Sequence, residues 1–202
     1  FNIELNNDYG LIARNSVIDL DGKLAVYNNT RGALLENSTT YLDTFRFHGN
    51  QREALQTLGS HVKYNKGLLQ IKQTQNPVVG QYKEYPFDFS GNGQHLVLDS
   101  GSTFAPFLVS SMPMKYGQMR FAKPHGINVS SSDFSGTRAL PPVEIKGGSK
   151  ATFVHPIMTT HIPEASLDSG QAVYGACVSV TENSTALFQG SVSGANAIMG
   201  PE

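Results

Sequence analysis

Six histidines and one cysteine are the side chains best suited to bind a transition metal or to supply a nucleophile. None of the histidines forms a His-x-x-x-His pair or lies close to the cysteine, so the spacing of a zinc site is missing. Cys177 lies in an apolar, strand-like run, which predicts a buried and unreactive thiol. These patterns lead us to expect no metal and no cofactor. The histidines are His48, His61, His95, His125, His155 and His161.

Asp19-x-Asp21-Gly22 has the start of a calcium loop, but apolar residues follow where further oxygen ligands are needed. A tight turn explains these residues better, because Asp-Gly suits the positive φ angles of a two-residue hairpin. Signatures of serine nucleophiles, of phosphate-binding loops and of dinucleotide-binding glycines are missing from the sequence. The sequence therefore places its strongest catalytic candidate elsewhere.

That candidate is Asp99, which ends an apolar run and is followed by Ser100-Gly101-Ser102-Thr103. Residues 96–103 resemble the catalytic loop of pepsin-like and retroviral aspartic proteases. The resemblance implies that Asp99 is one of two carboxylates that share a proton and activate one water molecule. Asp168, within Leu167-Asp168-Ser169-Gly170, is the candidate for the second carboxylate, although Gln171 stands where the family has a hydroxyl.

The same short sequences also recur, which offers a structural interpretation of the Asp99 loop. Residues 98–101 and 167–170 are identical, and so are residues 88–91 and 133–136. Asp and Ser bond to the backbone just ahead of them, and Gly accepts positive φ, so each copy is typical of a turn. We find no tandem repeat of fixed period.

Composition narrows the classes of function. Charged residues make up 15% of the 202 residues and the formal net charge is −1, so no basic surface for nucleic acid is expected. No apolar run is long enough to span a membrane. Sequons for N-glycosylation occur at Asn28, Asn37, Asn128 and Asn183, but a chain rich in Asn, Ser and Thr produces some by chance.

Many short β-prone runs, bounded by Gly, Pro, Asn and Asp, predict an all-β fold. We expect an antiparallel β-sandwich, jelly-roll-like, formed by a single domain over residues 1–202 with a long internal loop at 130–142. Hairpins are predicted at Asp21-Gly22 and around residues 182–184. One short helix is predicted over residues 51–58, capped by Asn50 and Glu53 and ended by Gly59.

These features favour a non-enzymatic, self-assembling structural protein, and a virion component such as a capsid, decoration or fibre subunit is the preferred version. The expected location is the virion or the extracellular space, and the expected partners are copies of the chain and other structural subunits. Residues 151–202 contain no Lys or Arg, which predicts burial against neighbouring copies. The alternative is an aspartic endopeptidase in which Asp99 is catalytic.

Overall fold

The computed structural model describes residues 2–64, 87–106, 119–122, 128–130, 137–154, 156–158, 178–189 and 198–199. Within these ranges the chain forms strands and no helix. The strands are β1 (Asn2–Glu4), β2 (Tyr9–Arg14), β3 (Val17–Tyr27), β4 (Arg31–Glu36), β5 (Thr39–His48), β6 (Glu53–Leu58), β7 (His61–Tyr64), β8 (Phe87–Ser90), β9 (Gln94–Asp99), β10 (Thr103–Ala105), β11 (Met119–Ala122), β12 (Asn128–Ser130), β13 (Thr137–Ala139), β14 (Val143–Ile145), β15 (Lys150–Val154), β16 (Ile157–Met158), β17 (Val178–Val180), β18 (Thr185–Gln189) and β19 (Ile198–Met199).

The strands form three faces, and within each face the strands run parallel to one another. Face 1 is a seven-stranded sheet in the order β19-β17-β14-β9-β6-β4-β2. The ten-stranded sheet divides at β5, whose first half pairs with β7 and whose second half pairs with β8. Face 2 therefore contains the first halves of β3 and β5 with β7, β10, β15 and β18. Face 3 contains β1, the second halves of β3 and β5, β8, β11 and β16.

The chain visits the three faces in cyclic order, and each strand pairs in parallel with the strand one circuit later. This arrangement is a parallel β-solenoid, and each circuit is a rung. Equivalent residues of the first rungs are 22 positions apart, as Ser16 is from Ser38 and Ser38 from Ser60. Later rungs are longer, with offsets of 42, 47 and 35 residues. Between β11 and β14 lies the antiparallel pair β12–β13, which belongs to none of the faces.

Aromatic rings fill the solenoid interior in a stack that follows its axis. The rings of Phe47, Phe89 and Phe121, on successive strands of face 3, have centroids 5.2 and 5.1 Å apart and are nearly parallel. Phe153 and Phe188 stack in the same way between β15 and β18, at 5.2 Å. Because each ring packs on the ring of the next rung, the core joins neighbouring rungs into one body.

A serine ladder runs along the corner between faces 1 and 2. The backbone N–H of each serine donates to the Oγ of the serine one rung later, at 3.0 to 3.1 Å. The residue before each serine has positive φ, as at Asn15, Gly101 and Gly148, and this turns the chain between faces. The ladder contains Ser16, Ser38, Ser60, Ser102, Ser149 and Ser184.

An asparagine ladder runs along the corner between faces 3 and 1. Asn29, Asn50 and Asn92 are fully buried. The backbone N–H and the side-chain amide of Asn50 both donate to Oδ1 of Asn92, at 3.0 and 2.9 Å, and Asn29 donates to Asn50 in the same way. The ladder supplies partners for backbone and amide groups that are removed from water, as buried polar groups require.

The predicted antiparallel, jelly-roll-like sandwich is therefore wrong, although the described chain is all-β. Alternating apolar residues occur in half-buried strands of either direction, and the rung-to-rung pairing here is parallel. No fixed period runs through the whole chain, but corner serines and asparagines recur at rung positions that the sequence analysis did not identify. Variable rung length hid that repeat, since the extra residues fall between strands.

The predicted helix at residues 51–58 is a strand, β6, over Glu53–Leu58. Asn50 belongs to the asparagine ladder instead of capping a helix, and Gly59 turns a corner with φ of 58°. Pairing with β4 on one side and β9 on the other overrides the weak helical pattern.

Both predicted hairpins are also wrong. Asp21-Gly22 lies inside β3, where the register of its parallel pairing with β5 shifts between Leu20 and Lys23. The turn around residues 182–184 joins β17 on face 1 to β18 on face 2. Residues at positive φ, such as Glu182 and Asn183 here, turn the chain onto the next face of a solenoid instead of back along its own strand.

Candidate functional site

Asp99 lies at the corner between faces 1 and 2, where β9 ends. Its Oδ1 accepts a hydrogen bond from the backbone N–H of Ser100 at 2.6 Å. The following Ser102 is part of the serine ladder, and its Oγ donates to the Asp99 carbonyl at 2.6 Å. Gly59 below the loop donates its N–H to that same carbonyl at 3.1 Å. The Asp-Ser-Gly-Ser loop therefore forms one rung corner.

Several residues singled out from sequence lie outside the described ranges. Asp168, the second carboxylate of the protease hypothesis, is one of them, and Cys177 is another. The same holds for His125, His155 and His161. The pairing of two aspartates stays a prediction, and so does the burial of the cysteine. Of the predicted loop at 130–142, residues 131–136 are outside the description, and the flanking residues form β12–β13.

A groove of about 350 Å³ lies on the outer surface of face 3. Two rows of side chains line it along the solenoid axis, and the parallel register sets both rows. Ala25, Arg46, Asp88 and Arg120 are in register in the first row. Tyr27, His48 and Ser90 are in register in the second. Neighbouring strands of a sheet are about 4.8 Å apart, so each row places one side chain at every rung.

The first row contains a partly buried ion pair. Asp88 is only 4% exposed, and its two oxygens accept from Nε and Nη2 of Arg120 at 2.8 and 2.7 Å. This bidentate geometry fixes the plane of the guanidinium, which is the strongest form of the Arg–carboxylate contact. Arg46 lies on the other side of Asp88 in the same row. The row therefore places an arginine at the rung on each side of Asp88.

The second row contributes hydrogen-bonding and aromatic groups. Nδ1 of His48 lies 3.1 Å from Oγ of Ser90. Tyr27 is in register with Glu4 of β1. A hydrogen bond to the Glu4 carboxylate, with burial and the charge of Glu4 as smaller causes, raises the pKa of Tyr27 above its usual value. The phenol therefore stays neutral at physiological pH, with its ring beside the groove.

The groove combines cationic, hydroxyl and aromatic groups, which is chemistry for holding a polar ligand. Sequence reasoning missed it because its residues are spread over 95 positions, from Ala25 to Arg120, and are brought together only by the stacking of rungs. No local motif or spacing rule connects β3, β5, β8 and β11. An observable signal did exist: outward polar residues follow buried phenylalanines in Phe45-Arg46-Phe47-His48 and Phe87-Asp88-Phe89-Ser90. That shared pattern places the two segments on one face.

No known protein family, no curated protein and no solved structure matched this chain. The described part of the chain contains no helix long and apolar enough to cross a membrane. It also contains no group of three or more His, Cys, Asp and Glu side chains placed to hold a metal ion. The virion assignment drew on the expected jelly roll, which the parallel faces contradict, and neither the fold nor the comparisons support it.

Proposed function

We propose that this chain is a non-enzymatic structural protein, a β-solenoid that supports longer segments between its rungs and associates with copies of itself. The observation that carries the proposal is the serine ladder, which keeps the same hydrogen bond through rungs of very different length. The offsets of 22, 42, 47 and 35 residues leave that bond at 3.0 to 3.1 Å. A scaffold of this kind accepts insertions without losing its register.

Self-association is supported by the strand order and by exposed apolar surface. In the described order of face 2, β18 is the terminal strand. Leu187 on β18 is 48% exposed, and no Lys or Arg follows Lys150 in the sequence. An edge strand that carries no Lys, Arg or Pro to block pairing can hydrogen-bond to a strand of another chain.

Sedimentation equilibrium of the native protein at micromolar concentrations tests the association. We expect a mass above the 21.9 kDa of one chain. Leu187→Lys should shift the equilibrium toward monomer, because it places a charge at the proposed contact. Thr152→Lys is the matched control, since Thr152 is in register with Leu187 one rung inward.

A monomer at every concentration would refute the association, as would equal effects of the two lysine variants. Peptide cleavage at acid pH that is lost in Asp99→Asn would refute the non-enzymatic part and favour the aspartic endopeptidase.

A further inference from the structure

Apolar core residues are only partly buried at the two ends of face 2. Ile18 and Leu20 lie on β3, the first strand of this face, and Ala186 and Phe188 lie on β18, the last strand in its described order. Leu42, one rung inward from Leu20, is only 2% exposed. Each end therefore leaves open two inward rows that a further rung would cover.

The corner between faces 1 and 2 has different hydrogen-bonding groups at its two ends. The N–H of Ser102 and that of Ser149 each donate twice, once to a carbonyl of the same corner and once to the Oγ one rung later. In the described chain, the N–H of Ser184 makes the first of these bonds, to the Thr181 carbonyl at 3.1 Å, and not the second. At the opposite end, no earlier described rung donates to Oγ of Ser16. The last rung thus offers a donor where the first rung offers an acceptor.

The backbone at this corner follows a similar rule. The residue after each corner serine donates its N–H to the carbonyl of the serine one rung earlier. Thr39 donates in this way to Ser16 at 2.9 Å, and the bond recurs at 2.8 to 2.9 Å at the later corners. Among the described residues, the N–H of Val17 on the first rung and the carbonyl of Ser184 on the last rung have no rung to complete this bond. The edges of β3 and β18 therefore complement each other as donor and acceptor.

We infer that copies of this chain join head to tail, with the edge of β18 paired in parallel with the first half of β3 of the next copy; this inference rests on the self-association proposed above. In the register of the internal rungs, Thr185 lies beside Val17 of the next copy, and Phe188 packs on Leu20 of the next copy. Face 2 then continues from one copy into the next. Because each junction leaves one free end on each copy, the assembly is an open-ended fibre.

The polarity of the corners argues against contact between two like ends. Two first rungs placed together would bring the acceptor Oγ of Ser16 against a second acceptor. The corner between faces 3 and 1 has the same polarity, since the backbone N–H and Nδ2 of Asn6 donate to Oδ1 of Asn29 at 3.0 and 2.9 Å. A head-to-tail junction alone joins donors to acceptors.

Disulfide trapping tests the junction, with Val17→Cys and Thr185→Cys made separately in a Cys177→Ala background. Residues in register on neighbouring strands are about 4.8 Å apart, which is within reach of a disulfide. We expect an oxidised equal mixture to form a product of twice the 21.9 kDa of one chain. It should form at least about tenfold faster than in either variant alone, because pairing raises the local concentration of the thiols.

Thr39→Cys mixed with Thr185→Cys is the matched control. Thr39 is in register with Val17 but lies one rung further from the junction, about 10 Å from Thr185 of the other copy, which is too far for a disulfide. Equal rates in the mixture and in either single variant would overturn the head-to-tail polarity. An equal rate in the control mixture would overturn the register.

Charge at the junction gives a second measurement that needs no cysteine. In the proposed register, Leu187 lies beside Asp19 of the next copy. Leu187→Glu should therefore raise the dissociation constant about threefold more than Leu187→Lys does, because like charges directly opposite repel. Thr152→Glu and Thr152→Lys, one rung inward, should not differ from each other. Equal effects of the two Leu187 variants in sedimentation equilibrium would refute the junction.

The outcomes separate this inference from the proposed function. A native protein that sediments as a monomer refutes self-association itself, and the junction with it. Association that persists while the mixture of Val17→Cys and Thr185→Cys forms no disulfide refutes the junction alone.

Discussion

Individual side chains link neighbouring rungs of this solenoid by hydrogen bonds, and Asn50 is the clearest case. Its Oδ1 accepts from the backbone and side-chain nitrogens of Asn29, and its Nδ2 donates to Val26 and Asn92. It is fully buried, so water cannot replace these bonds. One amide therefore connects three successive corners.

Asn50→Ala should lower the free energy of unfolding by about 3 kcal/mol, because several buried polar groups lose a partner at once. Urea unfolding followed by circular dichroism measures the change. Asn15→Gly is the control: Asn15 is exposed with φ of 49°, a conformation that Gly adopts freely, and we expect a change within about 0.5 kcal/mol. Similar decreases in the free energy of unfolding for both variants would mean that the buried asparagine ladder contributes no more to stability than an exposed corner residue.

At the scale of the strand, backbone contact between rungs limits which residues fit. Gly32 on β4 is buried, and a Cβ built there would overlap the carbonyl oxygen of Ala54 on β6. The corner glycine Gly101 differs, because nothing lies within 4 Å of its Cβ position although its φ is 74°. Gly32 is required because a side chain would clash, whereas Gly101 is favoured because of its backbone conformation, so the two positions test these two causes separately.

Gly32→Ala should therefore destabilise by about 3 kcal/mol, since the strand must move away from its partner. Gly101→Ala should cost only about 1–2 kcal/mol, the cost of a left-handed conformation. Thermal or urea unfolding of the two variants gives the comparison. A larger loss for Gly101→Ala would contradict the close approach of β4 and β6.

For the whole molecule, a solenoid transmits stability mainly between neighbouring rungs. Asn29, Asn50 and Asn92 belong to successive corners, whereas β17 and β18 are several rungs away along both sheets. A loss of stability near Asn50 should therefore weaken the neighbouring rungs more than the distant ones. Hydrogen exchange detects such differences residue by residue.

In Asn50→Ala, we expect amides of β4, β6 and β9 to exchange at least about tenfold faster, whereas those of β17 and β18 change little. Exchange followed by NMR under native conditions measures both sets in one experiment. A uniform acceleration over all strands would show that the chain unfolds as one cooperative unit, against the rung-by-rung view.

The sequence by itself predicted the β content and the corner chemistry. Of the four predicted turns, residues 98–101 do form a corner, where Ser100 and Gly101 have positive φ. The turn predicted at 88–91 is wrong except at Gly91, because Asp88, Phe89 and Ser90 lie in β8, and the copies at 133–136 and 167–170 lie outside the described residues. The direction of pairing was beyond sequence reasoning, since a positive-φ corner serves a hairpin and a solenoid equally well. The Asp99 loop was singled out from sequence, but its place in the serine ladder was not.

Tertiary structure decided which segments are neighbours, and with them the groove. Arg46, Asp88 and Arg120 form a row only because β5, β8 and β11 stack in register, at offsets of 42 and 32 residues. Those unequal offsets have no local cause in the sequence. They arise because the buried phenylalanines and corner ladders align the rungs, while the residues between strands vary in number without disturbing that alignment.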